Sequence, residues 1–389
     1  MNRIVFSAFV VTLLALTFYS ANGTYVLKHP CGEYRRFFSC CPLPQVVDVL
    51  TVDPAVCELA LERANGSGNA LTSVKKIAEQ SGAIAAVNAS FFKDDWFFLG
   101  APAHALKVGD RWLGGQTMVR DGQPLARAVL GWRDGGKEAI IGRARTSSVV
   151  RIWTGSIAHD YPVAHINQQR GRDNAVLYTS AFFTRTPVSA AGTEIAISGG
   201  MVVGIYSGGN NLLPPGSGAA IYSIGPNAKN RQQALGIQVG SKAEIAHHVI
   251  ATDIDSNTER PDDTRFDHMD VLLGGTPVLV DNGMIAPNFA VDKTIERFRD
   301  VWYPRTAVGL HRDGYWIIAT VRGLGMSLIQ LAEFMQSMHC KSAINLDGGT
   351  STEFYLDPKV FRSQGISEKD LEGYLRPRNV PDALVVRRR

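Results

Sequence analysis

The chain has 389 residues, 45% of them hydrophobic and 20% charged, the balance of a globular protein long enough for one large domain or two ordinary ones. A formal charge of +4 is small for that length, and the one dense basic run is the terminal Arg387-Arg388-Arg389, so the basic stripe of a nucleic-acid binder is excluded. The 38 glycines point to many turns and short strands rather than a helical bundle.

At the N-terminus, Arg3 precedes an apolar run over residues 4–18 and the small residues Ala21-Asn22-Gly23. This is the pattern of a cleaved signal peptide over 1–23, with a mature chain from Thr24. The alternative, an N-terminal anchor, is disfavoured because the run falls short of the roughly 20 residues a span needs. No later stretch is long and apolar enough to cross a membrane, so no stable span is expected after cleavage. A secreted or exported setting follows: periplasm, extracellular space or secretory pathway. Residues 24–44 read as an irregular, Cys-bearing segment. Cys31, Cys40, Cys41 and Cys57 could form two disulfides in an oxidising compartment, with three pairings open. Their spacing contains no C-x-x-C pair and no ligand-spaced His pair, so zinc is disfavoured and neither a metal nor another cofactor is expected. Cys340 follows a helical pattern and reads as a buried thiol.

Residues 45–386 read as one β-rich domain of mixed α/β (α+β) class, with mixed sheets and a few packing helices. Residues 45–52 alternate as a strand. Residues 72–81 predict a helix, capped by Thr72 or Ser73 and ended by Gly82, and a short buried strand then runs to Asn88. From about 105 to 280 the pattern is mostly short strands with Gly turns, at 174–179, 193–197, 201–206 and 219–223. Loops are expected at 207–218 and 252–268. Leu328, Leu331, Ala332, Met335 and Met338 share one helical face, and Ser327 with Gln330 makes a capping box. An apolar strand over 342–346 follows, and 383–386 reads as the last strand. Each helix-to-strand unit delivers polar groups at a strand's C-terminal end, a common ligand position in open α/β sheets.

The densest polar cluster is Asn345-Leu346-Asp347-Gly348-Gly349-Thr350-Ser351-Thr352-Glu353. A carboxylate at the end of a buried strand, beside two glycines that let the backbone approach a ligand, suits a catalytic turn. The exposed N–H groups there, with Thr350, Ser351 and Thr352, could hold an oxyanion. An ordinary Asp-Gly turn is the structural alternative. Pro304-Arg305-Thr306-Ala307-Val308-Gly309 offers a guanidinium suited to bidentate recognition of phosphate or carboxylate, or else a surface ion pair. Asn88-Ala89-Ser90-Phe91-Phe92 ends the earlier strand with an amide able to bind sugar hydroxyls or orient a carboxylate. Asn88 also heads a glycosylation sequon, as does Asn65-Gly66-Ser67, but its place after an apolar strand argues for burial. Gly274-Gly275-Thr276-Pro277 reads as a Gly turn that could line a pocket, followed by a strand and a hairpin turn at Asp281-Asn282-Gly283. The segment from Asp253 to Asn257 begins like a calcium loop, but Thr258 and Thr264 stand where its Gly and Glu are needed.

These clusters, in this order, resemble the phosphodiester glycosidase family across roughly residues 45–386. The quoted segments match its Asn-Gly-Gly-Phe-Phe-like, Gly-Gly-x-Pro-x-Leu-Val, Pro-Arg-Thr-Ala-x-Gly and Asn-Leu-Asp-Gly-Gly-Gly-Ser motifs. Thr350 replaces the third glycine of the last, Ala89 and Ser90 replace two glycines of the first, and Arg322-Gly323 stands where Asp-Gly is usual. The resemblance implies hydrolysis of the glycosidic bond in a sugar-1-phosphodiester, an N-acetylglucosamine-1-phosphodiester-like substrate. It implies catalytic roles for Asp347 and Arg305, with Glu353 as a candidate second carboxylate. The substrate contacts it implies are Asn88, Gly275, Thr306, Asn345, Gly348, Gly349, Thr350, Ser351 and Thr352. The partner is then a glycan or sugar-phosphate small molecule; oligomeric state is left open. Two other readings stand: a secreted glycan- or envelope-binding protein with a degenerate site, and a phosphodiesterase that cleaves P–O.

Overall fold

The computed structural model describes residues 24–39, 45–64, 70–116, 118–120, 123–187, 191–216, 218–286, 289, 299–361 and 377–389. The signal segment, Cys40, Cys41 and the Asn65 sequon lie outside the described residues.

Both expected helices form where the sequence supplies their caps. Ser73 accepts a hydrogen bond from the Lys76 N–H at 3.2 Å to start Val74–Ser81, and Gly82, at φ 67°, ends it. Ser327 and Gln330 make both bonds of the capping box at the start of Leu328–Ser337. Val74, Ile77 and Ala78 form the buried face of the first helix; Leu328, Leu331, Ala332 and Met335 form that of the second. Arg231–Ala234 and Pro358–Phe361 are further short helical turns. The molecule is therefore more strongly β than the expected α+β balance.

The described strands build sheets of eight, twelve, four and two strands. In the eight-stranded sheet Gln45–Val52, Trp316–Met326, Tyr303–His311, Cys340–Asn345 and Val278–Asp281 lie side by side in that order. The four-stranded sheet runs Phe354–Leu356, Ala85–Asn88, Asp382–Arg388, Cys57–Arg63. Among the described pairs, His165–Ile166 beside Ala175–Thr179 is parallel and every other pair is antiparallel. The expectation of mixed sheets thus narrows to that one contact.

Two local expectations are corrected. The segment after residue 24 is not irregular but a hairpin, Thr24–His29 with Gly32–Ser39, which adds to Gln45–Val52 and extends the eight-stranded sheet. Leu27 and Tyr34 are buried in it, and a Cys31–Cys57 disulfide ties its turn to the first residue of Cys57–Arg63. The region 105–280 is not all short strands: Glu138–Thr154 runs 17 residues because it has partners along its length, Arg127–Arg133, Ile157–Val163 and Ala243–Thr252. Cys340 is buried and unbridged, as its position after the helix suggested, and burial raises its thiol to about 12.

The main core joins the sheets. Val87 and Leu384 of the four-stranded sheet pack in one cluster with Leu130, Trp132, Val308, Trp316, Ile344 and Leu346. Trp132 and Trp316 meet edge to face at 5.7 Å, and each indole N–H finds a carbonyl, Leu59 at 3.0 Å and Gly136 at 2.9 Å. This packing brings the ends of Ala85–Asn88 and Cys340–Asn345 together although they belong to different sheets.

One consequence concerns Glu353. Its carboxylate accepts from the Val74 N–H at 2.9 Å and the Lys75 N–H at 3.3 Å, satisfying orphan donors at the first helix's N-terminus. Glu353→Ala is expected to lower unfolding stability by about 1 kcal/mol in urea denaturation while leaving turnover per folded molecule unchanged. Lost turnover at undiminished stability would instead return Glu353 to the reaction.

Candidate active site

Asn88 is fully buried and works as an internal brace. Its Nδ2 donates to the Asp347 carbonyl at 2.7 Å, and its Oδ1 accepts from the Thr306 hydroxyl at 2.7 Å and the Glu353 N–H at 3.3 Å. One amide thus holds the end of its own strand, the Asp347 turn and the strand Tyr303–His311 in register. Both ends of the Asn88 side chain, and the equally buried Thr306 hydroxyl, are committed to this bracing.

The Asp347 turn is shaped by close backbone approach. A methyl group added at Gly348 would meet the Pro304 carbonyl oxygen at 2.7 Å, and Gly349 sits at φ 65° with Tyr303 against it. The 3-10 turn Gly349–Ser351 then carries Ser351, fully buried, beneath the Asp347 carboxyl. Burial is the largest influence on Asp347 and raises its pKa to about 6. A hydrogen bond to Ser351, the charge of Arg378 and the Gly348 N–H oppose that rise, and the negative charge of Asp382 adds to it. Asp347 Oδ2 has no hydrogen-bond partner among the described residues and lies 3.7 Å from Arg378 Nη2.

Arg378 is the cation beside Asp347, and sequence reasoning did not single it out. Its Nε donates to Ser351 Oγ at 2.8 Å, its Nη1 lies 3.4 Å from Asp94 Oδ2, and its guanidinium stacks 4.3 Å from the Phe92 ring centroid. Its side chain remains 38% exposed, so it faces solvent as well as Asp347. The expected cation, Arg305, is turned elsewhere. Its Nε donates to the Met326 carbonyl at 3.0 Å and its Nη2 to the Val301 carbonyl at 3.1 Å, and burial lowers its pKa to about 10. Arg305 thereby shapes the backbone that supports Gly348 rather than meeting Asp347.

The second carboxylate near Asp347 is not Glu353, which caps the helix, but Asp382. It is fully buried, accepting from Ser90 N at 2.8 Å and Ser90 Oγ at 2.6 Å, and pairing with Arg63 at 3.2 Å. Ser90, one of the departures from the family's glycines, is thus a ligand of Asp382. A charged residue opening a buried strand was the signal that could have found Asp382. Arg378 has no local signal, lying in a polar stretch 31 residues after Asp347.

Asn345 is buried; its Nδ2 donates to the Thr276 carbonyl at 2.7 Å, while Oδ1 has no partner among the described residues. The same is true of Thr352 Oγ1. Thr350 is exposed, and its carbonyl accepts from the Arg378 N–H at 2.8 Å. Gly275 packs its backbone on the Asn345 carbonyl, in the turn that contains the cis Thr276-Pro277 bond. Arg322, at the place where Asp is usual, donates to Asp48 at 2.6 Å; buried Asp48 also accepts from Tyr34 and Arg36 at 2.6 Å each. A cavity of about 370 Å³ lies at the opposite end of Val278–Asp281 from Asn345, lined by residues that include Arg143, Asp253, Arg265 and Asp281. Asp253 there is paired with Arg260. Among the described residues no three His, Cys, Asp or Glu side chains are grouped to hold a metal ion, and no helix is long and apolar enough to cross a membrane.

Comparison with known proteins agrees with the family resemblance. The N-acetylglucosamine-1-phosphodiester alpha-N-acetylglucosaminidases of Mus musculus and Bos taurus are each 37% identical to the chain over 99 residues, 22% of this chain and 19% of theirs. The chain therefore spans about a fifth of the length of these curated relatives. The crystal structure of a hypothetical protein from Synechocystis superposes with a TM-score of 0.74 at 21% identity, over 95% of this chain and 64% of that one, which establishes the shared fold. The phosphodiester glycosidase family model matches residues 191–387, just over half of the chain. The chain belongs to the phosphodiester glycosidase family.

Proposed function

We propose that the protein hydrolyses the C–O glycosidic bond of a sugar-1-phosphodiester, of the N-acetylglucosamine-1-phosphodiester kind, with Arg378 holding the phosphate and Asp347 acting as general acid. The observation that carries this reading is the placement of Asp347 Oδ2, without a hydrogen-bond partner among the described residues, 3.7 Å from the half-open Arg378 guanidinium. A phosphate seated on the planar fork of Arg378 sets its bridging oxygen beside the Asp347 carboxyl. Asn345 Oδ1 and Thr352 Oγ1 are buried beside this turn without hydrogen-bond partners among the described residues.

The electrostatics favour the acid role over the base or nucleophile roles. Burial already holds the Asp347 proton to about pH 6. A substrate phosphodiester brings a second negative charge to Arg378, which raises the carboxyl further. In the reaction the C1–O bond breaks, its electron pair stays with the phosphate, and the Asp347 proton passes to the leaving oxygen. Water adds to C1, and the proton it loses to solvent is matched by the one that restores Asp347. Arg378 stabilises the charge that grows on the departing phosphate monoester. Asp382, fully engaged by Ser90 and Arg63, fixes the field around Asp347 without taking part.

An exported setting is part of the proposal. It is supported by the apolar run at 4–18 and by the Cys31–Cys57 disulfide, which belongs to an oxidising compartment.

Hydrolysis of a sugar-1-phosphodiester in oxygen-18 water is expected to place the label in the released sugar; label in the phosphate would mean P–O cleavage and overturn the reading. Because the acid must be protonated in the free enzyme, kcat/KM is expected to fall tenfold per pH unit above about 6. Asp347→Asn, folded to the same circular dichroism signature, is expected to lose about 10²-fold in kcat/KM and to lose that alkaline limb. A rate that instead rises through pH 6 would make Asp347 a base or nucleophile.

A further inference from the structure

Ile157–Val163 and Met201–Ser207 stand at opposite ends of the twelve-stranded sheet, yet the sheet curls until both reach one rim. The Trp153 N–H donates to the Lys242 carbonyl at 3.0 Å, and the Ala243 N–H to the Gly200 carbonyl at 2.8 Å. Val202 is tied to the segment before Lys242. Its N–H donates to the Ser241 carbonyl at 2.9 Å and its carbonyl accepts from the Gly240 N–H at 2.8 Å. The Tyr161 hydroxyl reaches the Gln233 carbonyl at 3.3 Å, which brings in the helical turn Arg231–Ala234. Beneath the rim Tyr161, Val202 and Ile237 pack in one buried cluster.

The outward side chains of the rim are apolar as well. Leu235 is 77% exposed, Val239 and Ile157 are each 62% exposed, and Met201 and Val203 are exposed beside them. Gathering such side chains in water on a hydrogen-bonded rim opposes the hydrophobic effect and marks a docking surface.

The charge of this surface has one sign. From Ile195 to Ala243 the sequence contains no Asp or Glu, and its charged side chains are Lys229, Arg231 and Lys242, all exposed. Lys242 Nζ lies 4.4 Å from the Trp153 ring centroid, so a cation sits against an aromatic face of the rim. The bordering carboxylates, Asp160 and Glu244, lie on either side of Arg151, which holds Asp160 by hydrogen bonds of 2.6 and 2.9 Å.

We propose that this rim docks the protein on an anionic lipid surface. Leu235, Val239 and Met201 enter the boundary between headgroups and acyl chains, and Lys229, Arg231 and Lys242 lie among the lipid phosphates. The charge selects this occupant. A second copy of the chain would set the same cations against each other. A water-borne polyanion would meet the cations and leave Leu235 and Val239 in water. None of these residues belongs to the Asp347 site, so the proposal stands apart from the proposed reaction.

The test is co-sedimentation of the chain beginning at Thr24 with vesicles of phosphatidylcholine, alone or mixed with an equal part of phosphatidylserine. Binding is expected to the mixed vesicles and not to phosphatidylcholine alone, and to be lost in about 0.5 M NaCl. The exposed pair Leu235→Ser with Val239→Ser is expected to weaken it about tenfold, and Lys229→Gln with Lys242→Gln about tenfold or more. No binding by the wild type, equal binding to phosphatidylcholine alone, or binding undiminished in either double variant would overturn the proposal. A concentration-dependent dimer in sedimentation velocity that Leu235→Ser with Val239→Ser abolishes would give the rim to a second copy instead. Binding to heparin that this apolar pair leaves unchanged, at an affinity equal to that for the mixed vesicles, would give it to a polyanion.

Discussion

The site exists because one buried amide ties three chain segments to each other. Asn88 closes the strand Ala85–Asn88 of one sheet, yet its side chain bonds to the Asp347 carbonyl and to Thr306, both carried by strands of another sheet or the turn that follows. A buried amide left unpaired costs about 1–3 kcal/mol per group, so neither the turn nor the strand can slide without losing stability. Gly348 can lie against the Pro304 carbonyl only because this arrangement brings the two backbones together. The placement of Asp347, and through Ser351 that of Arg378, depends on that contact.

Burial of Asp347 opposes stability. Its folded-state pKa of about 6 lies above the ordinary 3.8, so the native state holds this proton more tightly than the unfolded chain does. Stability is therefore undiminished by this group below about pH 4, declines as the pH rises through the interval up to 6, and carries the whole cost of the buried charge above it. The ion pair of Asp382 with Arg63, its Ser90 hydrogen bonds, and the Trp132–Trp316 core supply a rigid surrounding in which that cost is tolerated. Arg378 offsets the cost in part, and an open cation beside a buried acid is the combination an anionic substrate would complete.

What the sequence made legible was local. Ser73, Gly82, Ser327 and Gln330 announce two helices because caps act within one turn of chain. The Asp347 turn was legible because its glycines and its apolar strand are contiguous. Long-range pairing was not. The length of Glu138–Thr154 is set by partners that lie elsewhere in the chain, and the hairpin at 24–39 is fixed by the sheet it joins. Glu353 read as a second carboxylate because it sits six residues after Asp347, but its partners are Val74 and Lys75, 279 and 278 residues away. Arg305 carried the motif's charge, and the fold spent it on main-chain carbonyls while Arg378, outside every motif, took the position beside the acid.

The central claim is that Asp347 is a carboxyl group whose proton is governed by burial and by Arg378. Carbon-13 titration of the aspartate carboxyls, with the Asp347 signal identified by its loss in Asp347→Asn, measures this directly. The account predicts a midpoint near 6 that moves to higher pH in Arg378→Ala, because the cation that favours the charged form is gone. A midpoint in the ordinary carboxylate range near 4, unmoved by Arg378→Ala, would contradict it.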